Sequence, residues 1–237
     1  MLRKTLSRVR VRWLGSAPGA DTIFQDGALR VSKVEGKGYG VIAVHRFEKG
    51  AHVLQEAPFA RVNKNTKDAA AENPAAAVLM KRVYSLAATG TFDPSDAESW
   101  PAEVVECLER VLDIQAELVF AKLPAALQHK WMQLQFVPLA LSPGGPTSTP
   151  SPGRLLRTNA FDDAQGCANL YELCARMNHS CTPNTLRLAG DNHQVKVVAA
   201  RTIEAGEEVC ISYLDTGTGL LLCVHVCGWF LNPTGTF

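Results

Sequence analysis

The residues of this 237-residue chain able to do chemistry fall in clusters. Gly36-Lys37-Gly38-Tyr39-Gly40 can bring backbone close to a ligand, because glycine has no side chain and tolerates positive φ. The run lacks the spacing of a dinucleotide fingerprint and the Lys-Ser/Thr ending of a P-loop, so taken alone a plain tight turn between strands is the better reading. Asn178-His179-Ser180-Cys181-Thr182-Pro183-Asn184 joins a metal-ligating type, Cys181, to polar side chains able to fix a neighbouring backbone and to a proline-ended turn. Its chemistry admits a zinc half-site, a Cys-His nucleophile pair or a structural turn. Zinc wants four ligands in closely spaced pairs, and the other close pair is Cys223 and Cys227 with His225 between them. A nucleophilic Cys181 needs a base beside it in space. Tyr213, closing Glu207-Glu208-Val209-Cys210-Ile211-Ser212-Tyr213, is either a core tyrosine with a locally satisfied hydroxyl or a residue that orients a reacting group.

The elements that must position these clusters follow from hydrophobic spacing. Residues 29–62 read as short strands punctuated by glycine. Asn73-Pro74 starts a helix carrying Val78, Leu79, Val83 and Leu86 at helical spacing, stopped by Gly90. A second helix begins near Pro101 with Val104, Val105, Leu108, Val111, Leu112, Leu118 and Val119 on its apolar side, and a third follows Pro124. Residues 142–153 are only Ser, Pro, Gly and Thr, which predicts a mobile surface loop. Leu170, Leu173, Cys174 and Met177 fit a short helix running into Asn178, and Pro183 ends it. Leu186 and Leu188, then Val195 and Val197, flank a Gly190-Asp191-Asn192 hairpin signal; Val209, Ile211 and Tyr213 make a further strand. No internal repeat is present. Strands, then helices, then strands predict an α+β domain whose β part is split by a helical insert.

Composition narrows the class. The chain is 46% hydrophobic and 20% charged, and its length suffices to remove roughly 70% of its unfolded surface from water without a metal or disulfide. The longest apolar run, residues 219–231, is broken by His225 and falls short of the roughly 20 residues a spanning helix needs, so no membrane association is expected. A balance of 24 Lys+Arg against 23 Asp+Glu argues against direct nucleic-acid binding. Residues 1–20 are Arg-rich and free of acid, with Leu2, Leu6, Val9 and Trp13 near one helical face. This is the composition of an organelle transit peptide, and a basic disordered leader fits as well. Seven irregularly spaced cysteines suit free thiols or a partial metal site better than a disulfide framework. An intracellular protein is expected, in mitochondria or another organelle, or alternatively in cytoplasm or nucleus.

Taken in order, Gly-Lys-Gly-Tyr-Gly-Val-Ile-Ala (residues 36–43), Asn-His-Ser-Cys-Thr-Pro-Asn (178–184), a hairpin, Ile-Glu-Ala-Gly-Glu-Glu (203–208) and Ser-Tyr-Leu-Asp (212–215) resemble the SET domain of protein lysine methyltransferases. The interruption makes the chain most similar to the split-SET, SMYD-like branch. With Cys107 as the sole cysteine of the insert, that branch's MYND zinc finger is expected to be absent. The resemblance implies a fold of short β-sheets with a pseudoknot: a leader at 1–20, the N-terminal SET half at 29–62, the helical insert at 63–141, a disordered loop at 142–153, the C-terminal SET half at 155–215 and an atypical, truncated or substituted post-SET tail at 216–237. It implies S-adenosylmethionine as cofactor, held by Lys37, Gly38, Tyr39, Asn159, Asn178 and His179, with Tyr213 as the catalytic residue and a lysine-bearing protein or peptide, histone or non-histone, as substrate. Methyl transfer itself needs no metal; Cys181, Cys223 and Cys227 are the candidates should zinc bind. A monomer is expected. The alternatives are a catalytically impaired SET-like module that binds a protein partner, and a zinc-dependent interaction protein.

Overall fold

A computed structural model describes residues 22–24, 27–96, 100–135 and 150–213. In chain order its elements are β1 (Thr22–Phe24), β2 (Leu29–Val34), β3 (Gly38–Ala43), β4 (His52–Glu56), β5 (Ala60–Asn63), α1 (Thr66–Glu72), α2 (Pro74–Ala88), α3 (Ala102–Lys122), α4 (Ala125–Met132), α5 (Pro152–Asn159), β6 (Phe161–Asp162), β7 (Cys167–Leu170), β8 (Thr185–Ala189), β9 (Val195–Ala199) and β10 (Glu208–Val209). Small antiparallel sheets and a helical insert make the fold α+β. The described residues divide into two compact units: residues 22–24, 27–58, 133–135 and 171–213, and residues 59–96, 100–132 and 150–170.

In the first unit, β1-β2-β3-β10 form one sheet and β4-β9-β8 another. The alternation of β2 turns Leu29 and Val31 inward, and both Val31 and Val209 pair with Val41. These four side chains are at most 1% exposed, so the glycine turn between β2 and β3 is anchored to core on both sides. That turn needs positive φ at Gly36 (72°) and Gly38 (83°), a region that only glycine enters freely. In the hairpin β8-β9 the burial is one-sided. Val195, Val197 and Ala199 are buried, whereas Leu186 and Leu188 on the edge strand are half exposed and the inward residue of β8 is Thr185, whose hydroxyl donates to Cys210 O at 2.7 Å.

Where the spacing predicts a short helix from Leu170 to Met177, Leu170 instead ends β7 and only Cys174–Arg176 form a 3-10 turn. Glu56 explains the turn. Its carboxylate accepts from the backbone N–H groups of Glu172, Leu173 and Cys174, satisfying donors that a longer helix would have had to cap another way. Burial pushes the Glu56 pKa up against the lowering effect of those bonds.

In the second unit, β5-β7-β6 form a small sheet beside the helices. Asn73 caps α2, its side chain accepting from Ala75 N at 2.9 Å and Ala76 N at 3.3 Å. The buried stripe of α2 is Ala76, Met80 and Val83. Val78 is 70% exposed, because two residues along a helix from Ala76 is about 200° around it; for the same reason Val105 faces away from the stripe of Val104, Cys107, Val111 and Ile114. Helix α1, capped by Asn65, has no counterpart in the spacing of apolar residues. The end of the Ser/Pro/Gly/Thr stretch also differs from the predicted loop. Ser151 caps α5 and Pro152 occupies its first turn, the start chemistry that composition alone overlooks. Gly153 lies against α3 so closely that a Cβ there would sit 2.2 Å from Asp113 Oδ1 and 2.7 Å from Asp113 Cα.

Candidate cofactor site and active site

The first unit gathers Lys37, Gly38, Tyr39, Asn178, His179 and Tyr213. Two backbone bonds join the segment after the 3-10 turn to the one after β10: Ile211 N donates to Asn178 O at 3.1 Å and Ser180 N to Ile211 O at 3.0 Å. The resulting bridge between His179 and Ile211 is parallel. It aligns Asn178 and His179 with the strand that leads to Tyr213.

Asn178 reaches the glycine turn. Its Nδ2 donates to Tyr39 O at 3.3 Å and to Glu208 Oε1 at 2.6 Å, while Gln135 Nε2 donates to the same Tyr39 carbonyl at 2.6 Å. Glu208 Oε2 meanwhile holds Lys37 Nζ at 2.8 Å. Burial opposes the Lys37 charge, but the hydrogen bond and charge of Glu208 outweigh it and the pKa is raised. Glu208 thus ties turn and Asn178 segment together, and sequence reasoning missed it. The available signal was a carboxylate directly preceding the buried run Val209-Cys210-Ile211, where a charge needs a partner. Gly40 makes room for the arrangement: a Cβ there would lie 2.7 Å from Glu208 Oε1 and 2.8 Å from Asn178 Nδ2.

His179 and Tyr213 interlock. Tyr213 N donates to His179 Nδ1 at 3.0 Å, which places the proton of the neutral ring on Nε2; burial and the Lys37 charge lower the His179 pKa and favour that neutral form. The two rings lie 5.3 Å apart. The Tyr213 hydroxyl donates to Met177 O at 2.8 Å. The residue as a whole is 43% exposed, yet burial around the hydroxyl pushes the pKa well up, so the group is a neutral phenol at physiological pH. The polar side chains of the Asn-His-Ser-Cys segment do fix a neighbouring backbone, as Asn184 shows: Cys210 N donates to its Oδ1 at 2.8 Å and its Nδ2 donates to Glu208 O at 2.8 Å.

Asn159 lies in the second unit, at the end of α5, buried, with Nδ2 donating to Leu155 O at 2.8 Å. Cys181 Sγ is 3.7 Å from His179 Nε2. Cys107, Cys167, Cys174 and Cys210 are free. Cys223, His225 and Cys227 lie outside the described residues. Among the described residues no group of three His, Cys, Asp or Glu side chains is placed to hold a metal ion, and no helix is long and apolar enough to cross a membrane.

Both amide hydrogens of Asn178 are engaged, which leaves Oδ1 as an acceptor, and Gly38 presents bare backbone. Lys37, Gly38, Tyr39, Asn178 and His179 are the residues of this unit that could hold a ligand carrying N–H donors.

A family model described as the SET domain matches residues 38–214. Protein-lysine N-trimethyltransferase SMYD5 of Gallus gallus is 49% identical over 49 residues, which are 20% of this chain and 12% of the relative; the chain thus spans a small part of that protein's length. Among solved structures, a candidate histone methyltransferase of Plasmodium falciparum is 12% identical with a TM-score of 0.36, the match covering 80% of this chain and 96% of that one. A humanized mutant of the Chaetomium thermophilum Polycomb Repressive Complex 2, bound to an inhibitor, is 15% identical with a TM-score of 0.36, over 82% of this chain and 16% of that one. The family model begins at the glycine turn and runs past Tyr213, over more than half the chain, and on that match the protein belongs to the SET-domain family.

Proposed function

We propose that the chain is an S-adenosylmethionine-dependent protein-lysine N-methyltransferase. The observation that carries the reading is the parallel pairing of His179 with Ile211, which sets the Asn178-His179 segment beside the Tyr213 hydroxyl in one unit. Membership of the SET-domain family and the partial likeness to a protein-lysine trimethyltransferase support it.

Bound S-adenosylmethionine supplies an electrophilic methyl on a sulfonium. The remaining work belongs to the protein: hold donor and acceptor in line and keep water out. A lysine ammonium, with an ordinary pKa of about 10.4, has no lone pair and must shed a proton before it attacks; desolvation favours the neutral amine. Tyr213 is arranged to receive that amine. Its hydroxyl proton is committed to Met177 O, so its oxygen lone pairs are left to accept an amine N–H and direct the nitrogen lone pair towards the methyl. In the transfer the N–C bond forms as the S–C bond breaks, sulfur keeps the bonding pair, and the extra proton on nitrogen leaves to solvent.

The test is calorimetric titration of the purified chain with S-adenosylmethionine, paired with transfer of labelled methyl to a lysine-containing peptide library. Saturable binding lost in Asn178→Ala, with label on lysine, supports the reading. Absence of binding by the folded wild type overturns it.

A further inference from the structure

Glu208 clamps two segments of the chain together. The two carboxylate oxygens are divided between segments far apart in sequence: Oε2 binds Lys37 Nζ, 171 residues away, and Oε1 binds Asn178 Nδ2, 30 residues away. The carboxylate is 16% exposed, so the bonds form where charge-assisted hydrogen bonds are strong. Asn178 is an amide, and an amide has two faces. With its NH2 held by Glu208 and Tyr39 O, the group cannot flip without opposing Oδ1 to the carboxylate and the carbonyl, an acceptor against two acceptors.

We infer that Glu208 is a positioning residue for the cofactor: it fixes the amide orientation of Asn178 so that Oδ1 faces the ligand as an acceptor, and through Lys37 it holds the glycine turn in register with that acceptor. The ligand recognised there carries an N–H donor, as S-adenosylmethionine does in its ammonium and adenine amino groups. The inference rests on the proposed cofactor, but its first consequence does not need it. Glu208→Gln keeps the shape and replaces one acceptor oxygen by an NH2, so either Lys37 or Asn178 faces a donor.

Two measurements separate the cases. In ¹⁵N spectra of the ligand-free chain, the Asn178 side-chain amide protons are expected to exchange slowly in wild type and at least tenfold faster in Glu208→Gln; equal exchange overturns the clamp, whatever binds. In calorimetric titration with S-adenosylmethionine, Glu208→Gln is expected to weaken binding at least tenfold. Adding Glu208→Gln to Asn178→Ala is expected to weaken it no more than about twofold further, since one acts through the other. Undiminished affinity in Glu208→Gln, or losses that multiply in the double variant, overturns the positioning role, which a merely structural carboxylate would not produce. Should Glu208→Gln melt much lower than wild type, Glu208→Asp serves: it keeps the charge on a stem too short to span both partners, and an affinity equal to wild type overturns the inference. If wild type shows slow Asn178 exchange but no binding, the cofactor reading fails while the clamp stands.

Discussion

Replacing Gly153 by alanine sets two effects of opposite sign against each other. Gly153 sits in the first turn of α5 with no positive φ, so alanine fits the backbone and gains up to about 1 kcal/mol of helix propensity. Against this, the new Cβ would lie 2.2 Å from Asp113 Oδ1 and 2.7 Å from both Asp113 Cα and Cγ. The carboxylate can rotate, but Cα belongs to the backbone of α3. Restoring a carbon–carbon separation of about 3.5 Å requires α3 and α5 to part by several tenths of an ångström. Overpacking of this kind costs about 1–3 kcal/mol. Rotating the carboxylate also loosens the Arg157–Asp113 ion pair, now at 3.5 Å with both side chains mostly buried. The clash wins, leaving a net destabilisation of about 1–2 kcal/mol. For a chain of this size that lowers Tm by about 2–8 °C, read by calorimetry at pH 7. Adding Asp113→Ala relieves the crowding at the carboxyl group but not that at the α3 backbone, and recovers part of the loss. A Tm equal to or above wild type for Gly153→Ala would refute the reasoning, because propensity alone would then govern the site.

Other outcomes follow from the site and its supports. Glu56→Ala strips the acceptors from three backbone N–H groups and is expected to destabilise by about 2–4 kcal/mol, each unsatisfied buried donor costing about 1–3 before relief of carboxylate burial is credited; a change below about 1 kcal/mol in denaturant unfolding contradicts the capping role. Because the folded-state pKa of Glu56 lies above its ordinary 4.5, its protonation favours the fold: its contribution is full below about 4.5 and lost as pH rises through the raised value. Unfolding midpoints across this range should fall more steeply with pH in wild type than in Glu56→Ala, where Asp113, whose carboxyl pKa is also raised by burial, still contributes. Tyr213→Phe is expected to slow methyl transfer by at least about a hundredfold while S-adenosylmethionine affinity stays within twofold of wild type, and a retained rate would remove Tyr213 from the chemistry. Gly40→Ala should displace Glu208 from Asn178 and weaken cofactor binding about fivefold or more, with titration at unchanged affinity as the contrary result.

What the sequence made legible was chemistry acting over short distances along the chain. Asn73-Pro74 announces a helix because cap and φ restriction are local, and Gly36 to Gly40 announce a turn for the same reason. The grouping of Asn178, His179 and Tyr213 was legible only through resemblance, since nothing in spacing tells that the segments around residues 179 and 211 pair in parallel. Glu208 was hidden because its partners are distant and its neighbour Glu207 makes the pair look like a solvated turn. In fact Glu207 caps Glu204 N and binds Arg201, and those bonds help lower its pKa to about 2. Ser151-Pro152 was masked by the monotony of the stretch before it, and Val78 by counting apolar residues rather than their angular positions.

The wide sequence separation of the site has a kinetic consequence. Lys37 meets Glu208 across 171 residues and Asn178 meets Tyr39 across 139, while the helices of the second unit are built largely from neighbours in sequence. Closing a loop costs entropy that rises with the logarithm of its length, about 0.6 kcal/mol per doubling, and contacts of long range slow folding. Helical structure is therefore expected early in refolding, and the junction of the 178–180 and 211–213 segments late. A chain halted between those stages would show most of its circular dichroism and none of its cofactor affinity, so recovery of ligand binding is the clock that times completion of the fold.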